Sequence, residues 1–318
     1  MIHKDSPLFQ EISPQQISAV FRQLLGAGEV GKHELLPGGL FNTTYYVEYD
    51  GGQAAVLRLA PVNRQLILGF ETHLMEAEAE MCRRCRDLEI PCSEILALDT
   101  SKALLDRDIM IVRYIPSCPM SENLPPEQEQ PALYRQIGQY LARLHRVTGA
   151  QFGYLSRQSQ GIGFSSWSDA LLYEVEDMLQ RSLNTAALEE AEAAAVRAVF
   201  QAHRPLLDEI TVPHLLHCDI WAGNILLDDQ RQIAAVIDGD RAMFGDPDFE
   251  FASGWMAHPA LLEGYGIRPA PSQHQQQRIQ LYRLYYALME TYIWHTEYAH
   301  LPFYQEHHKR LSDILRKF

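Results

Sequence analysis

The residues best suited to chemistry lie in two short polar clusters, each beside an apolar run. The first cluster holds Asp219 and Asn224 five positions apart, and the second begins with Asp238 after the run Ala-Ala-Val-Ile. Between them, two apolar segments flank the turn signal Asp228-Asp229-Gln230, which predicts a β-hairpin. A hairpin of this length would bring Asn224, before its first strand, close to Asp238, at the end of its second.

These three side chains suit phosphoryl transfer. An amide oxygen and a carboxylate held together match Mg²⁺, a hard ion that takes oxygen ligands and keeps several waters. Asp219 would lie near this ion and still be able to face a substrate hydroxyl. Transfer from ATP needs such a layout, with a base, metal ligands and little covalent chemistry. We therefore predict Asp219 as the catalytic base and Asn224 and Asp238 as the Mg²⁺ ligands.

The order and spacing of both clusters resemble the catalytic and metal-binding loops of the aminoglycoside phosphotransferase and choline kinase group. The pattern H-x-D-x-x-x-x-N begins at His217, Ile-Asp follows at 237–238, and Gly-Asp-Pro follows at 245–247. The first pattern alone is common by chance, whereas the combined order, spacing and apolar framing are specific. The resemblance implies an ATP-dependent small-molecule kinase, with ATP and Mg²⁺ as cofactors and a hydroxyl of an aminoglycoside-like compound, amino alcohol, fructosamine or sugar as acceptor.

The resemblance also implies an α+β fold of the protein-kinase-like, two-lobed kind. Residues 1–113 would form an N-terminal antiparallel sheet lobe that binds nucleotide, and residues 114–318 a larger helical lobe for catalysis and substrate binding. A chain of 318 residues also favours more than one subdomain. Apolar patterns and turn signals predict a first helix capped by Ser13 and Gln16 and, among later elements, a helix over residues 66–86. They also predict strands over residues 32–36, 43–49, 53–60 and 108–114.

Several residues of the first lobe would contact the nucleotide. Gly38 and Gly39, together with Asn42, resemble the family's glycine-rich loop, where glycine lets backbone N–H groups approach a phosphate. A Gly-Gly pair before a strand is by itself most often a hairpin turn. Arg58 stands where the family places a cation on the ATP phosphates, although a strand-end arginine could instead reach solvent.

Two further nucleotide contacts are implied by the resemblance alone. The backbone at Tyr114 and Ile115 would hydrogen-bond the adenine, which rests on position in the chain. One glutamate of the predicted helix over residues 66–86 should pair with Arg58, and Glu78 matches best. The other glutamates on that helix are Glu71, Glu76 and Glu80.

The substrate would be bound by residues of the second lobe, for which Asp240, Glu250 and Trp255 are the candidates. Asp240 could equally be an outer ligand of the metal or plain surface. Gly239 follows Asp238 where protein kinases place Phe, which makes a protein substrate less expected. Two alternatives to the small-molecule kinase remain, namely a kinase-shaped protein that binds nucleotide without transferring phosphate, and a protein kinase.

Composition narrows the class of protein further. Acidic residues exceed basic ones by 41 to 27, a net charge of −14, which argues against a nucleic-acid partner. The charge is compatible with a cationic substrate, and a solvated acidic surface explains it equally well. The five cysteines do not suggest a disulfide framework, and Cys82-x-x-Cys85 reads as reduced thiols on a helix. The chain lacks a membrane-length apolar run and a signal-peptide pattern, so a cytoplasmic protein is expected, with its oligomeric state open.

Overall fold

The computed structural model describes residues 6–37, 39–254, 257–266 and 271–318. By internal contacts the chain divides into two compact units. The first unit comprises the described part of Met1–Ile67, together with Ser93–Pro116 and Glu297–Ala299. The second unit comprises the described parts of Leu68–Cys92, Ser117–Thr296 and His300–Phe318.

An antiparallel sheet forms the first unit. Its strands are β1 Val30–Leu35, β2 Thr43–Tyr49, β3 Gln53–Leu59, β4 Ile95–Asp99 and β5 Ile109–Arg113. They pair in the order β1-β2-β3-β5-β4, and every neighbouring pair is antiparallel. Helix α1, Pro14–Leu25, shares a buried apolar cluster with residues of this sheet, to which it contributes Ile17, Val20 and Phe21.

Helix α1 begins where the sequence predicts. The Ser13 side chain accepts the N–H of Gln16 at 3.3 Å, and the Gln16 side chain accepts the N–H of Ser13 at 2.9 Å. This reciprocal capping box satisfies two N–H groups that the first turn leaves without helical partners. Gly26, with a left-handed φ of 69°, ends the helix.

The second unit is mainly helical. Its described helices are α2 Leu74–Asp87, α3 Gln130–Leu144, α4 Leu155–Gln158, α5 Trp167–Asn184, α6 Glu190–Ala202, α7 Arg204–Leu207, α8 Pro247–Ala252, α9 Pro259–Tyr265, α10 Gln273–Tyr292 and α11 Leu301–Leu315. Its described strands are β6 Cys118–Pro119, β7 Gly153–Tyr154, β8 His214–Leu216, β9 Ile225–Leu227, β10 Ile233–Val236 and β11 Met243–Gly245. They form two small sheets, ordered β10-β9-β6 and β7-β11-β8. The sheet in the first unit and the helices of the second confirm the predicted α+β class.

Helices α3 and α9 cross with their backbones in contact. A Cβ atom on Gly138 would lie 2.0 Å from the carbonyl oxygen of Leu261, and one on Gly264 would lie 2.0 Å from that of Arg135. Only glycine leaves room for such an approach. The crossing therefore depends on these two glycines.

The helix predicted over residues 66–86 begins later than expected, at Leu74. The Glu71 side chain accepts the N–H of Leu68 at 3.0 Å, and the N–H of Gly69 donates to Asp177 at 2.9 Å. These bonds hold Gly69–Glu71 as a separate 3₁₀ turn, and His73 is left-handed with a φ of 61°. One local bond, to Glu71, and one long-range bond, to Asp177, thus replace the first predicted helical turns.

Helix α2 groups with the second unit, since Leu68–Cys92 lies there by contacts. It packs against the 3₁₀ turn Gly239–Arg241 of the same unit. The division into a nucleotide-binding lobe, residues 1–113, and a catalytic and substrate-binding lobe, residues 114–318, remains a prediction. Among the described residues, no helix is both long and apolar enough to cross a bilayer.

Candidate active site

The first polar cluster begins directly after strand β8, in a turn whose backbone is held by one carboxylate. Glu250, on helix α8, accepts the N–H of His217 at 2.7 Å and the N–H of Cys218 at 3.0 Å. Cys218 itself has a left-handed φ of 66°. The Glu250 carboxylate therefore fixes the backbone immediately before Asp219.

Asp219 and Asn224 are brought together as the sequence predicts. The Asn224 side-chain nitrogen donates to the backbone carbonyl of Asp219 and to its carboxylate, both at 2.9 Å. The hairpin is also present, since β9 and β10 pair antiparallel with Val236 opposite Ile225. The N–H of Ile237 donates to the carbonyl of Asn224 at 3.0 Å, which places Asp238 one residue beyond this bond.

The orientation of the Asn224 amide fits a metal ligand. Both of its partners on Asp219 are acceptors, so the amide nitrogen faces Asp219 and the amide oxygen points elsewhere. Asp238, with φ 57° and ψ 45°, opens the turn Gly239–Arg241. Oxygen donors of these two types match Mg²⁺, which when bound would neutralise charge on the phosphates. Among the described residues, no three His, Cys, Asp or Glu side chains form a metal-binding cluster, and a site completed by phosphates and water needs none.

The electrostatic setting of Asp219 raises its pKa to about 6, mainly because burial disfavours the charged form. The positive charge of Arg241 opposes this rise, and the negative charge of Asp238 adds to it. A carboxylate with a pKa near neutrality is a better proton acceptor than one with an ordinary pKa. The site thus favours Asp219 as a general base.

His217 helps to shape this loop. Its Nδ1 atom accepts the N–H of Asp219 at 3.3 Å, and its side chain also hydrogen-bonds the backbone of Ile237. Burial lowers its pKa, so the ring is neutral and its Nδ1 can accept. His217 therefore connects the loop of the base to the segment that leads into Asp238.

Glu250 is not placed as the sequence predicts, because its carboxylate is buried under the loop instead of facing a substrate. Burial favours the neutral acid, but the neighbouring His145 ring and the Cys218 N–H outweigh it, so the pKa of Glu250 is lowered. His145 Nε2 lies 3.5 Å from the carboxylate. Glu250 is thus a charged anchor for the loop. Asp240 is buried in the turn after Asp238 and its role stays a prediction, while Trp255 lies outside the described residues.

A series of three hydrogen-bonded side chains supports the start of helix α8. Trp167 donates to the Tyr282 hydroxyl at 2.9 Å, and that hydroxyl donates to Asp246 at 2.7 Å. Asp246 in turn accepts the N–H of Asp248 at 3.1 Å and so caps helix α8. Because α8 carries Glu250, this series connects the buried core to the loop that holds Asp219.

Two residues near the base are missed by the sequence patterns. Arg241 donates to the buried Glu71 at 2.7 Å and acts electrostatically on Asp219. The one sequence signal for Arg241 is a positive charge three positions after Asp238. Trp221, two positions after Asp219, is 44% exposed, and its ring covers Gly223. A tryptophan within the first polar cluster is the sequence signal that could have identified Trp221.

The predicted nucleotide contacts of the first unit lie on its sheet and the adjoining loops. Gly38 is outside the described residues, and a Cβ on Gly39 would lie 3.1 Å from the carbonyl of Asn42. Arg58 lies within β3 and is only 9% exposed, so the alternative of an arginine reaching solvent is wrong. Tyr114 donates its N–H to Ala54 at 3.2 Å, directly before Ile115. The nucleotide roles of these residues remain predictions.

The four glutamates considered as partners for Arg58 lie in different surroundings. Glu71 pairs with Arg241, Glu76 with His73, and Glu80 with Arg83 and Arg84. Glu78 is buried on α2 with 2% of its surface exposed. Its pairing with Arg58 stays a prediction.

Comparison with known proteins places the chain in a family. The model of the phosphotransferase enzyme family matches residues 32–281. The chain is 28% identical to hygromycin-B 4-O-kinase of Escherichia coli over 174 residues, which span 52% of this chain and 50% of that protein. It is 24% identical to the probable ketoamine kinase YniA of Escherichia coli (strain K12) over 284 residues, 85% of this chain and 90% of that one.

A solved structure confirms the fold. It is a thermostable mutant of aminoglycoside phosphotransferase APH(4)-Ia in a ternary complex with AMP-PNP and hygromycin B. The TM-score is 0.65 at 21% identity, with 91% of this chain and 95% of that chain covered. Because the family model covers most of the sequence and the fold agrees, this chain belongs to the phosphotransferase enzyme family.

Proposed function

We propose that this protein transfers the terminal phosphoryl group of ATP to a hydroxyl of a small molecule. The observation that carries the proposal is the hydrogen-bonded pair of Asp219 and Asn224, joined through Ile237 to Asp238. A base and two oxygen ligands within one hairpin are what this chemistry requires of a protein. The alternative of nucleotide binding without transfer finds no support in a site that keeps all three.

Each residue has a defined task in this reaction. Asp219 orients the acceptor hydroxyl and takes its proton as the new P–O bond forms and the bond to the ADP oxygen breaks. Asn224 and Asp238 would hold the Mg²⁺, and the charge of Arg241 lowers the pKa of the base. The proposed nucleotide contacts are Gly38, Gly39, Asn42, Arg58, Glu78, Tyr114 and Ile115.

The acceptor we favour is a ketoamine, a sugar-derived hydroxyl compound that carries an amine. The match to a probable ketoamine kinase spans 85% of this chain, whereas the match to hygromycin-B 4-O-kinase spans 52%. The exposed face of Trp221, two residues from Asp219, offers a surface on which a sugar ring can pack. The net charge of −14 is compatible with a cationic amine.

An acceptor panel tests this proposal. ADP release and the mass of the acceptor are followed with a fructose-derived ketoamine of lysine, hygromycin B and choline, each with ATP and Mg²⁺. We expect the ketoamine to gain one phosphoryl group with the highest kcat/KM. Preference for hygromycin B or choline would overturn the acceptor class, and ATP binding without phosphorylation of any acceptor would support the non-transferring alternative.

A further inference from the structure

Three cysteines of the second unit form a cluster away from the proposed site. Cys82 and Cys85 lie one turn apart on α2, and Cys92 follows the helix. The Cys92 thiol donates to the carbonyl of Cys82 at 3.4 Å, which places it against the turn of α2 that carries Cys82 and Cys85. All three are free thiols. From the sequence, Cys82 and Cys85 are expected to be ordinary reduced cysteines, and the structure places Cys92 against their turn of the helix.

The members of this cluster differ in reactivity. Hydrogen bonds from Cys82 and Cys85, helped by the charge of Arg86, lower the pKa of the Cys92 thiol despite partial burial. The same hydrogen bonds, together with burial, raise the pKa of Cys82 and of Cys85. Cys92 is also the half-exposed member, and the other two are buried. The cluster therefore pairs one partly accessible thiol of lowered pKa with two buried thiols of raised pKa, the arrangement of a reactive and a resolving cysteine.

Both segments that carry these thiols contact the segment that leads into and out of Asp238. On α2, the Met81 side chain fills the space beside Gly239, where an added Cβ would lie 2.6 Å from its Cγ. Cys92 forms a parallel bridge with Val236, whose N–H donates to Pro91 at 2.9 Å. Movement at the thiols would therefore reach both sides of Asp238.

We propose that Cys92, with Cys82 or Cys85, is a peroxide-reactive thiol site whose closure to a disulfide slows phosphoryl transfer. The second half of this statement rests on the proposed function. Two sulfurs must approach to about 2 Å to form a disulfide, which draws α2 and the Cys92 segment together. Because α2 and the Cys92 segment both contact residues around Asp238, formation of the disulfide displaces this proposed metal ligand.

The chemistry balances with a peroxide as oxidant. The Cys92 thiolate attacks one peroxide oxygen, the O–O bond breaks, and Cys92 becomes a sulfenic acid while hydroxide leaves. The thiol of Cys82 or Cys85 then gives up its proton and attacks the Cys92 sulfur, so that the S–O bond breaks and water leaves. Two sulfurs lose two electrons in total, and the peroxide is reduced to two waters once the hydroxide takes a proton from solvent.

Peptide mapping of the full chain tests the site. Reduced protein is treated with hydrogen peroxide, alkylated and digested with trypsin, which cuts after Arg83, Arg84 and Arg86 and so puts the three thiols on separate peptides. We expect the Cys92 peptide to be linked to that of Cys82 or Cys85, and the link to be absent in Cys92→Ser and in Cys92→Ala.

Cys118 provides the matched control, as a half-exposed thiol of the same unit that accepts from Asn123. The Cys118→Ser variant should form the link as the wild type does. An unlinked Cys92 peptide, or oxidation of Cys118 at the same rate as Cys92, would overturn the thiol site.

Turnover of the ketoamine tests the consequence separately. Oxidised wild-type protein should lose about tenfold or more in kcat, since small displacements of catalytic groups cost this much, and a dithiol reductant should restore it. Cys92→Ser should keep its kcat under peroxide. A mapped disulfide with unchanged kcat would overturn the switch. Absence of kinase activity in the reduced protein would count against the proposed function alone, because the peptide link is read without it.

Discussion

At the scale of single residues, the proposed chemistry depends on the setting of Asp219. Sequence spacing predicts this base and its neighbour Asn224, and the structure joins them by hydrogen bonds of 2.9 Å. Spacing does not predict the raised pKa, because burial and the opposing charges of Arg241 and Asp238 arise only on folding. Residue types are thus readable in advance, whereas their electrostatics are not.

The raised pKa of Asp219 predicts a pH profile. Below pH 6 the carboxyl is protonated and cannot accept the hydroxyl proton, so kcat/KM should fall roughly tenfold for each pH unit on the acid side. Because the charge of Arg241 lowers this pKa, Arg241→Gln should move the acid limb to higher pH. The control Arg197→Gln, at an exposed pair with Glu176, should leave the limb in place. A flat profile between about pH 5 and 8 would contradict this role for Asp219.

The Asn224 amide oxygen predicts a metal phenotype. Asn224→Ala removes one proposed ligand, so the Mg²⁺ concentration for half-maximal activity should rise by about tenfold or more, since even outer-shell partners of metals contribute this much. Titration of activity with Mg²⁺ at fixed ATP measures the change. Asn184→Ala, at the exposed end of α5, is the control and should not alter it. An unchanged Mg²⁺ requirement in Asn224→Ala would remove Asn224 from the metal site.

At the scale of elements, helix α8 determines the position of Asp219, the proposed base. The Gly-Asp-Pro pattern predicts a helix that is capped by Asp246 and extends through residues 255–256. The cap is confirmed, whereas helix α8 ends earlier, at Ala252. The task of Glu250 was mispredicted, because a carboxylate near the site reads equally as substrate contact or loop anchor. Only the fold shows that backbone N–H groups of His217 and Cys218 point at it.

Glu250→Gln tests this anchor. An amide offers one acceptor oxygen and turns an N–H donor toward backbone N–H groups, so the free energy of unfolding should fall by about 1–3 kcal/mol. Urea denaturation measures the loss, and kcat should fall more than KM rises because the loop of the base is displaced. Glu263→Gln, whose exposed side chain pairs with Arg135, is the matched control. Equal stability of the two variants would show that Glu250 does not hold the loop.

The chain from Trp167 through Tyr282 to Asp246 predicts a second effect on this element. Tyr282→Phe leaves the buried Trp167 N–H and an Asp246 oxygen each without this partner, at a cost of about 1–3 kcal/mol in unfolding free energy. The loss of that hydrogen bond should also raise the pKa of Asp246 further above its usual value. Calorimetry would detect the destabilisation, with Tyr173→Phe, 41% exposed, as control. A neutral Tyr282→Phe would show that the hydroxyl is dispensable.

At the scale of the whole molecule, much of the architecture was readable from the sequence. Strand β2 matches its predicted bounds, and the capping box of α1 and the hairpin of β9 and β10 are as expected. These elements are specified by local turn and capping chemistry. The late start of α2 and its grouping with the second unit depend on long-range bonds such as that of Gly69 to Asp177, which no local pattern encodes.

Family membership and site geometry converge on one activity for the molecule. The family model covers residues 32–281, and the three side chains at 219, 224 and 238 lie within it. Family membership does not fix the acceptor, because relatives differ in what their names say they phosphorylate.

The most direct measurement is transfer of labelled γ-phosphate from ATP to a ketoamine acceptor by wild type and Asp219→Asn, with Asp229→Asn as an exposed control on the hairpin turn. We predict labelled acceptor with wild type and Asp229→Asn, and a rate lower by about 10²–10⁴-fold with Asp219→Asn, the share that general base catalysis contributes. Equal rates for wild type and Asp219→Asn would contradict the assignment of Asp219 as the base.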